Sequence, residues 1–238
     1  MELLLLSSSR TAAGYLTDYL PAIGDFARGA RRALFIPFAA VSLPWDEYRE
    51  KVRSALAPLG IALDADHVGD AEMIIVGGGN TFHLLRECRN RGLLEGIRSK
   101  KNLRYLGWSA GANLACPTIK TTNDMPIVDP GGLDALALVP FQINAHYLNV
   151  ALPGHHGETR DERLGEFARL NPRLPVIGLP EGDWLRVAGS SAELGGPHPG
   201  MWFEGSTPPR SLQPGTRLDF AASNAAYEEN PSENRPIG

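Results

Sequence analysis

At 238 residues the chain is long enough to bury a real core, and it suits one large domain or two small ones. A composition of 43% hydrophobic and 21% charged residues is that of a soluble globular protein, and a net charge of −4 argues against nucleic acid or an acidic membrane surface as the main partner. Cys88 and Cys116 make neither a disulfide framework nor a metal spacing, Leu3–Leu6 is too short for a signal-peptide core, and no apolar stretch approaches membrane-spanning length, so a cytoplasmic setting is expected.

Apolar runs alternate with helical patterns through the first half. Glu2–Leu6 reads as a buried strand, and Thr11–Arg28 as a helix with Tyr15, Leu16, Tyr19 and Leu20 on one side. Ala33–Pro37 is a second short apolar run. Pro44–Leu59 is helical, carrying Trp45, Tyr48, Val52 and Leu56 at helix spacing. Ile61–Leu63 reads as a short strand and Met73–Val76 as a clearer one. Asn80–Lys100 is one helix broken at Gly92, or two in succession, and Leu103–Leu106 is the next strand. This order predicts an α/β domain with a largely parallel sheet, whose ligands sit beyond the carboxyl ends of the strands.

The second half is less regular. Thr118–Pro140 is loop-rich, with Pro126, Pro130, Gly131 and Gly132, and leaves room for short strands only. Glu158–Leu170 is a helix stopped before Pro172. Pro175–Gly178, Trp184–Val187 and Met201–Phe203 read as late strands. With no internal repeat and no clear linker, residues 1–220 form a single domain in this reading, and 221–238, poor in apolar residues, a mobile tail.

The most informative segment is Gly107-Trp108-Ser109-Ala110-Gly111, where a strand turns into a helix with a serine at the apex. Glycines two residues either side relieve crowding, so the hydroxyl can protrude, and the free N–H groups of a helix start favour developing negative charge. Small residues packing a helix on a sheet would look the same, so the pentapeptide alone does not decide between packing and catalysis. A serine nucleophile needs a base and an acid behind it. His146, after an apolar run, suits a strand end; His155 and His156 sit in an exposed-looking turn; His67, His83 and His198 complete the set. Asp124, Asp129, Asp134, Glu158 and Glu181 all qualify as the acid. Gly77-Gly78-Gly79-Asn80 supplies N–H groups for a phosphate or an oxyanion, but it fits neither the dinucleotide fingerprint nor a P-loop.

Several long segments resemble the peptidase E family of α-aspartyl dipeptidases. They are Ile74–Phe82, Gly107–Thr118, Thr121–Pro130, Gly157-Glu158-Thr159-Arg160 and Gly178–Gly182, within a resemblance that runs from Met1 to about Phe203. The segment after Phe203 matches poorly, and the chain is shorter than its relatives between Leu63 and Glu72. The resemblance implies a three-layer fold like the class I glutamine amidotransferases (flavodoxin-like), with helices flanking the sheet. It implies a serine peptidase that cleaves dipeptides after an N-terminal aspartate, with no metal and no cofactor, as a monomer or homodimer. By position in the matched segments, Ser109 is the nucleophile and His146 its base. Asp124 is the favoured third member, with Glu181 as the alternative. Ala110 and Gly78 supply the oxyanion hole, and Arg160 recognises the substrate aspartate.

Three rival readings remain at this point. A cyanophycinase-like enzyme of the same superfamily would cut β-aspartyl bonds. A generic α/β-hydrolase would place its histidine later in the chain than His146. A sensor could keep the fold and lose turnover, although serine, histidine and acid retained together argue against it.

Overall fold

The computed structural model describes residues 1–150, 154 and 157–220. The expected exposed turn at His155 and His156 and the expected mobile tail, 221–238, lie outside the described residues. In chain order the first half comprises β1 (Glu2–Leu6), β2 (Arg10–Thr11), β3 (Gly14–Tyr15), α1 (Leu20–Phe26), β4 (Ala33–Ile36) and α2 (Trp45–Leu56). It continues through β5 (Met73–Val76), α3 (Thr81–Asn90), α4 (Leu93–Arg98), β6 (Arg104–Trp108) and α5 (Ala110–Leu114). The second half holds β7 (Gln142–Ala145), α6 (Arg160–Leu170), β8 (Val176–Leu179), β9 (Trp184–Ala188), β10 (Ser191–Gly195), β11 (Gly200–Phe203), β12 (Arg210–Leu212) and β13 (Arg217–Asp219).

The main sheet has the order β13-β10-β9-β1-β6-β5-β4. Strands β1, β6, β5 and β4 run parallel, whereas β9, β10 and β13 add an antiparallel flank. The parallel strands are buried on both faces, which is why they read as unbroken apolar runs. Alternation then sorts their side chains. Leu3 and Leu5, Ile74 and Val76 pack with Leu84, Leu85 and Ile97 of α3 and α4 on one face. Leu4 and Leu6, Met73 and Ile75 pack with Ile23, Phe26, Val52 and Leu56 of α1 and α2 on the other. The four leucines of β1 are fully buried, each worth about 2 kcal/mol relative to exposure. Helix, sheet and helix form three layers.

A second sheet, β12-β11-β8-β7, joins the α3–α5 side through Ile143, Ile177 and Leu179. Its β7 and β8 are parallel, with Ala145 opposite Leu179. Helix α6 covers it through Leu164 and Ala168, which meet Tyr147, Val176 and Phe203.

Two sequence expectations need correction. The helix expected over Thr11–Arg28 begins only at Leu20, because Arg10–Thr11 and Gly14–Tyr15 form a small antiparallel hairpin. Gly14 at φ 127° and Leu16 at φ 59° break any helix there, and Pro21 sits in the first turn of α1, where a missing N–H costs nothing. The strand expected at Ile61–Leu63 is reduced to a single bridge between Arg32 and Ala62. By contrast, Gly92, at φ 65°, does separate α3 from α4. Residues 63–72 hold no helix, and the loop-rich 118–140 segment holds one isolated bridge, Thr118 to Asp134.

Candidate active site

Ser109 caps the end of β6 at φ 52° and ψ −113°, a conformation that costs a non-glycine residue about 1–3 kcal/mol. Its neighbours make the turn possible. A Cβ on Gly111 would lie 2.2 Å from the Val76 carbonyl oxygen, and one on Gly107 would lie 2.5 Å from the Gly111 carbonyl oxygen. Helix α5 therefore sits directly on β5 and β6, held by the Ser109 N–H to Leu6 carbonyl bond at 3.1 Å and by the Tyr105 hydroxyl on the Gly111 carbonyl at 2.7 Å.

His146 follows β7 at φ 54°, again left-handed for a non-glycine residue. Its Nε2 lies 2.8 Å from Ser109 Oγ, and its Nδ1 lies 2.6 Å from Glu181 Oε1. A carboxylate only accepts, so Nδ1 carries the proton and Nε2 turns a lone pair toward the serine hydroxyl. The register of the parallel pair explains the meeting. Ala145 stands opposite Leu179, so the residue after β7 and the second residue after β8 leave the same sheet edge side by side.

Asp124, the acid favoured from the sequence, is placed elsewhere. Its carboxylate accepts from the Thr81 N–H at 2.8 Å, from the Thr81 hydroxyl and from the Thr122 hydroxyl at 3.0 Å. It closes the start of α3 and makes no hydrogen bond to His146 among the described residues. The loop after α5 brings Asp124 to the α3 N-terminus, whereas the loop after β8 brings Glu181 to His146. Four other sequence candidates are engaged away from the serine. His83 Nδ1 meets the Phe38 carbonyl at 2.6 Å, His198 meets Asp183, Asp129 accepts from the Gly131 N–H, and Glu158 pairs with Arg163 at 3.6 Å.

Gly78 abuts the Ser109 turn so closely that a Cβ there would come within 3.1 Å of Ser109 Cβ and 2.9 Å of Trp108 Cδ1. Its carbonyl accepts from the Tyr48 hydroxyl at 3.1 Å, and that hydroxyl accepts from Trp108 Nε1 at 3.1 Å, which fixes the glycine loop against β6. Among the described residues, the N–H groups of Gly78 and Ala110 take no acceptor. A cleft of about 480 Å³ opens over Ser109, His146 and Gly78; Asp124 and the 40–43 loop are also on its wall.

Arg160, the first residue of α6, lines a neighbouring cavity with Asn123 and Asn144. Its guanidinium donates to Asn144 Oδ1 at 3.1 Å and to Asn123 Oδ1. The two asparagines are themselves fixed, Asn144 by the Thr121 carbonyl at 2.8 Å and Asn123 by the Ala145 carbonyl at 2.8 Å. No carboxylate among the described residues pairs with Arg160. Glu158 is taken by Arg163, and Glu162 is closed in a capping box with Thr159. Partial burial lowers the Arg160 pKa, the sign of a cation short of solvent.

The sequence reading missed the residues that hold His146 and Glu181 together. Ser7, fully buried, accepts from the His146 N–H at 2.8 Å and donates to the Leu179 carbonyl at 2.7 Å. Tyr19 accepts from the Gly182 N–H at 2.9 Å and shares a 2.8 Å bond with Ser8. The available signal was Ser7-Ser8-Ser9 directly after a buried strand, at the edge where parallel sheets place their ligands.

The model of peptidase family S51 matches residues 3–195. Proteins called peptidase E from Shigella flexneri and Salmonella typhimurium are 50% and 51% identical to this chain over 229 residues, covering 92% of it and all of each relative. A solved structure of a putative peptidase E protein from Listeria monocytogenes superposes with a TM-score of 0.59 over 83% of this chain and 98% of that one, at 24% identity, and so supports the fold. The family match spans most of the chain, including the serine turn and the loops that carry His146 and Glu181, and the chain belongs to peptidase family S51.

Proposed function

We propose that this S51 peptidase is a serine dipeptidase that hydrolyses dipeptides with an N-terminal aspartate through an acyl-enzyme on Ser109. The observation that carries the reading is the continuous hydrogen-bond chain Ser109–His146–Glu181. The names of the relatives, peptidase E at about half identity over nearly the whole chain, support the same reaction. We assign it to one α/β domain spanning 1–220.

In this mechanism Ser109 Oγ attacks the carbonyl carbon that follows the aspartate, and His146 Nε2 takes the hydroxyl proton. The carbonyl oxygen gains the displaced electron pair and is met by the N–H groups of Ala110 and Gly78. Collapse breaks the C–N bond while His146 returns its proton to the departing amine. Water, deprotonated by the same imidazole, then releases aspartate from the ester. Glu181 keeps Nδ1 protonated and stabilises the imidazolium at each proton transfer. Arg160 receives the side-chain carboxylate of the substrate aspartate through its planar fork, which a lysine cannot imitate. No step calls for a metal or a cofactor.

No helix among the described residues is long and apolar enough to cross a membrane. A reducing, cytoplasmic setting is supported by Cys88 and Cys116, both buried and unpaired.

The test is incubation of the purified protein with Asp-Leu, Asn-Leu, β-Asp-Leu and N-acetyl-Asp-Leu. Hydrolysis of Asp-Leu alone is expected. Turnover of β-Asp-Leu in its place would favour a β-aspartyl hydrolase, and tight aspartate binding with no turnover would favour a sensor.

A further inference from the structure

The cleft over Ser109 carries two cations that the mechanism above leaves unused. Arg10 on β2 and Lys51 on α2 line it together with Tyr15, Tyr48, Gly78 and His146. The β2–β3 register sets Arg10 opposite Tyr15, and Lys51 Nζ stands 4.2 Å from the centroid of the Tyr15 ring. One aromatic residue thus brings both positive groups to the same wall. Neither Arg10 nor Lys51 has a salt bridge among the described residues.

Their proximity is costly. Burial, and then the charge of Arg10, push the Lys51 pKa down. Asp124 provides no charge partner to either cation: its carboxylate is turned to Thr81 and Thr122, and that of Glu181 to His146. Two cations without a salt-bridge partner, on the wall of the cleft over Ser109 in a chain of net charge −4, offer a place for an anionic group.

Resting on the dipeptidase reading, we propose that Arg10 and Lys51 receive the C-terminal carboxylate of the substrate. In a dipeptide that carboxylate sits one Cα beyond the scissile nitrogen, on the departing side of Ser109. Arg160 lies in the adjoining cavity and takes the acyl side, so the two anionic ends of an Asp-Xaa dipeptide go to separate cationic sites. A longer peptide would present a neutral amide to Arg10 and Lys51. The pair therefore makes the enzyme select dipeptides over longer chains.

The experiment compares kcat/KM for Asp-Leu and for its C-terminal amide, Asp-Leu-NH2, in the wild type, Lys51→Met, Arg10→Gln and Lys51→Arg. The wild type should favour the free acid by about tenfold or more, the worth of one charge-assisted hydrogen bond. Lys51→Met and Arg10→Gln should each shrink that ratio severalfold, chiefly through KM for the acid, and Lys51→Arg should restore it. Thermal melts report folding, and Arg10→Gln, on an exposed hairpin, carries the test if Lys51→Met does not fold. Equal hydrolysis of acid and amide by the wild type, or a ratio that neither variant changes, overturns this inference and leaves the dipeptidase reading standing. Hydrolysis of neither substrate overturns both.

Discussion

Ser7 and His146, far apart in sequence, are joined by a 2.8 Å hydrogen bond from the histidine N–H to the serine hydroxyl. The same hydroxyl donates to Leu179, so one buried side chain ties the loop that bears the imidazole to the strand that delivers Glu181. Replacing Ser7 by alanine leaves a buried N–H and a buried carbonyl without their partner, at a cost of about 1–3 kcal/mol. Ser7→Ala should lower thermal stability and reduce kcat by about tenfold or more, with KM nearly constant. Ser7→Thr, which retains the hydroxyl, should recover part of the kcat. A loss confined to stability would make Ser7 a purely structural residue.

Glu181 and Asp124 are separable by substitution. Glu181→Gln keeps the shape but removes the charge that holds Nδ1 protonated, and kcat should fall by about three to four decades. Asp124→Asn should act mainly through the start of α3, costing about 1 kcal/mol or more of stability with a smaller change in kcat. Circular dichroism melts and steady-state kinetics on both variants check this ranking. The reverse order in kcat would return the orienting role to Asp124.

The contrast between these two acids shows how far the sequence could be read. The serine turn was legible because Gly107, Ser109 and Gly111 answer to local backbone geometry, and the parallel strands because burial on both faces leaves an apolar run. Which carboxylate meets His146 was not legible, since it depends on which strand ends next to β7, and nothing near Glu181 or Asp124 encodes that pairing. The hairpin at 10–15 was missed for a related reason. Tyr15, Leu16, Tyr19 and Leu20 are apolar at helical spacing, but the positive φ of Gly14 and Leu16 overrides the pattern. Strands β12 and β13 are only three residues long, and β10 is buried on one face only, so their sequences lack the unbroken apolar run of the parallel strands.

The space around two helical glycines predicts opposite outcomes. Gly111→Ala would drive a methyl to 2.2 Å from the Val76 carbonyl oxygen, backbone that has no room to move. Destabilisation of about 3 kcal/mol or more, or loss of soluble protein, is expected. Gly165→Ala, inside α6 with nothing within 4 Å of the added atom, should stabilise by about 0.5–1 kcal/mol. Chemical denaturation of both variants measures the difference.

Asp183 gives a pH signature. It is fully buried behind the Glu181 turn; its Oδ2 has no hydrogen bond, and its Oδ1 accepts from the His198 N–H at 3.1 Å. Burial pushes its pKa from 3.8 up to about 6, against a smaller lowering by His198. A carboxyl whose pKa is raised on folding favours the folded state while protonated. Its contribution is complete below the unfolded pKa and is lost as pH rises through about 6. The Tm of Asp183→Asn relative to wild type should therefore climb between about pH 4.5 and pH 7.5. A difference that stays flat or falls across that interval would contradict the assignment.

The most direct measurement of the central claim is the turnover of Asp-Leu by Ser109→Ala. The substitution removes the attacking oxygen and leaves α5, His146 and Glu181 in place. A folded variant with wild-type Tm should lose activity by about 10³-fold or more. Wild-type turnover in that folded variant would contradict the account.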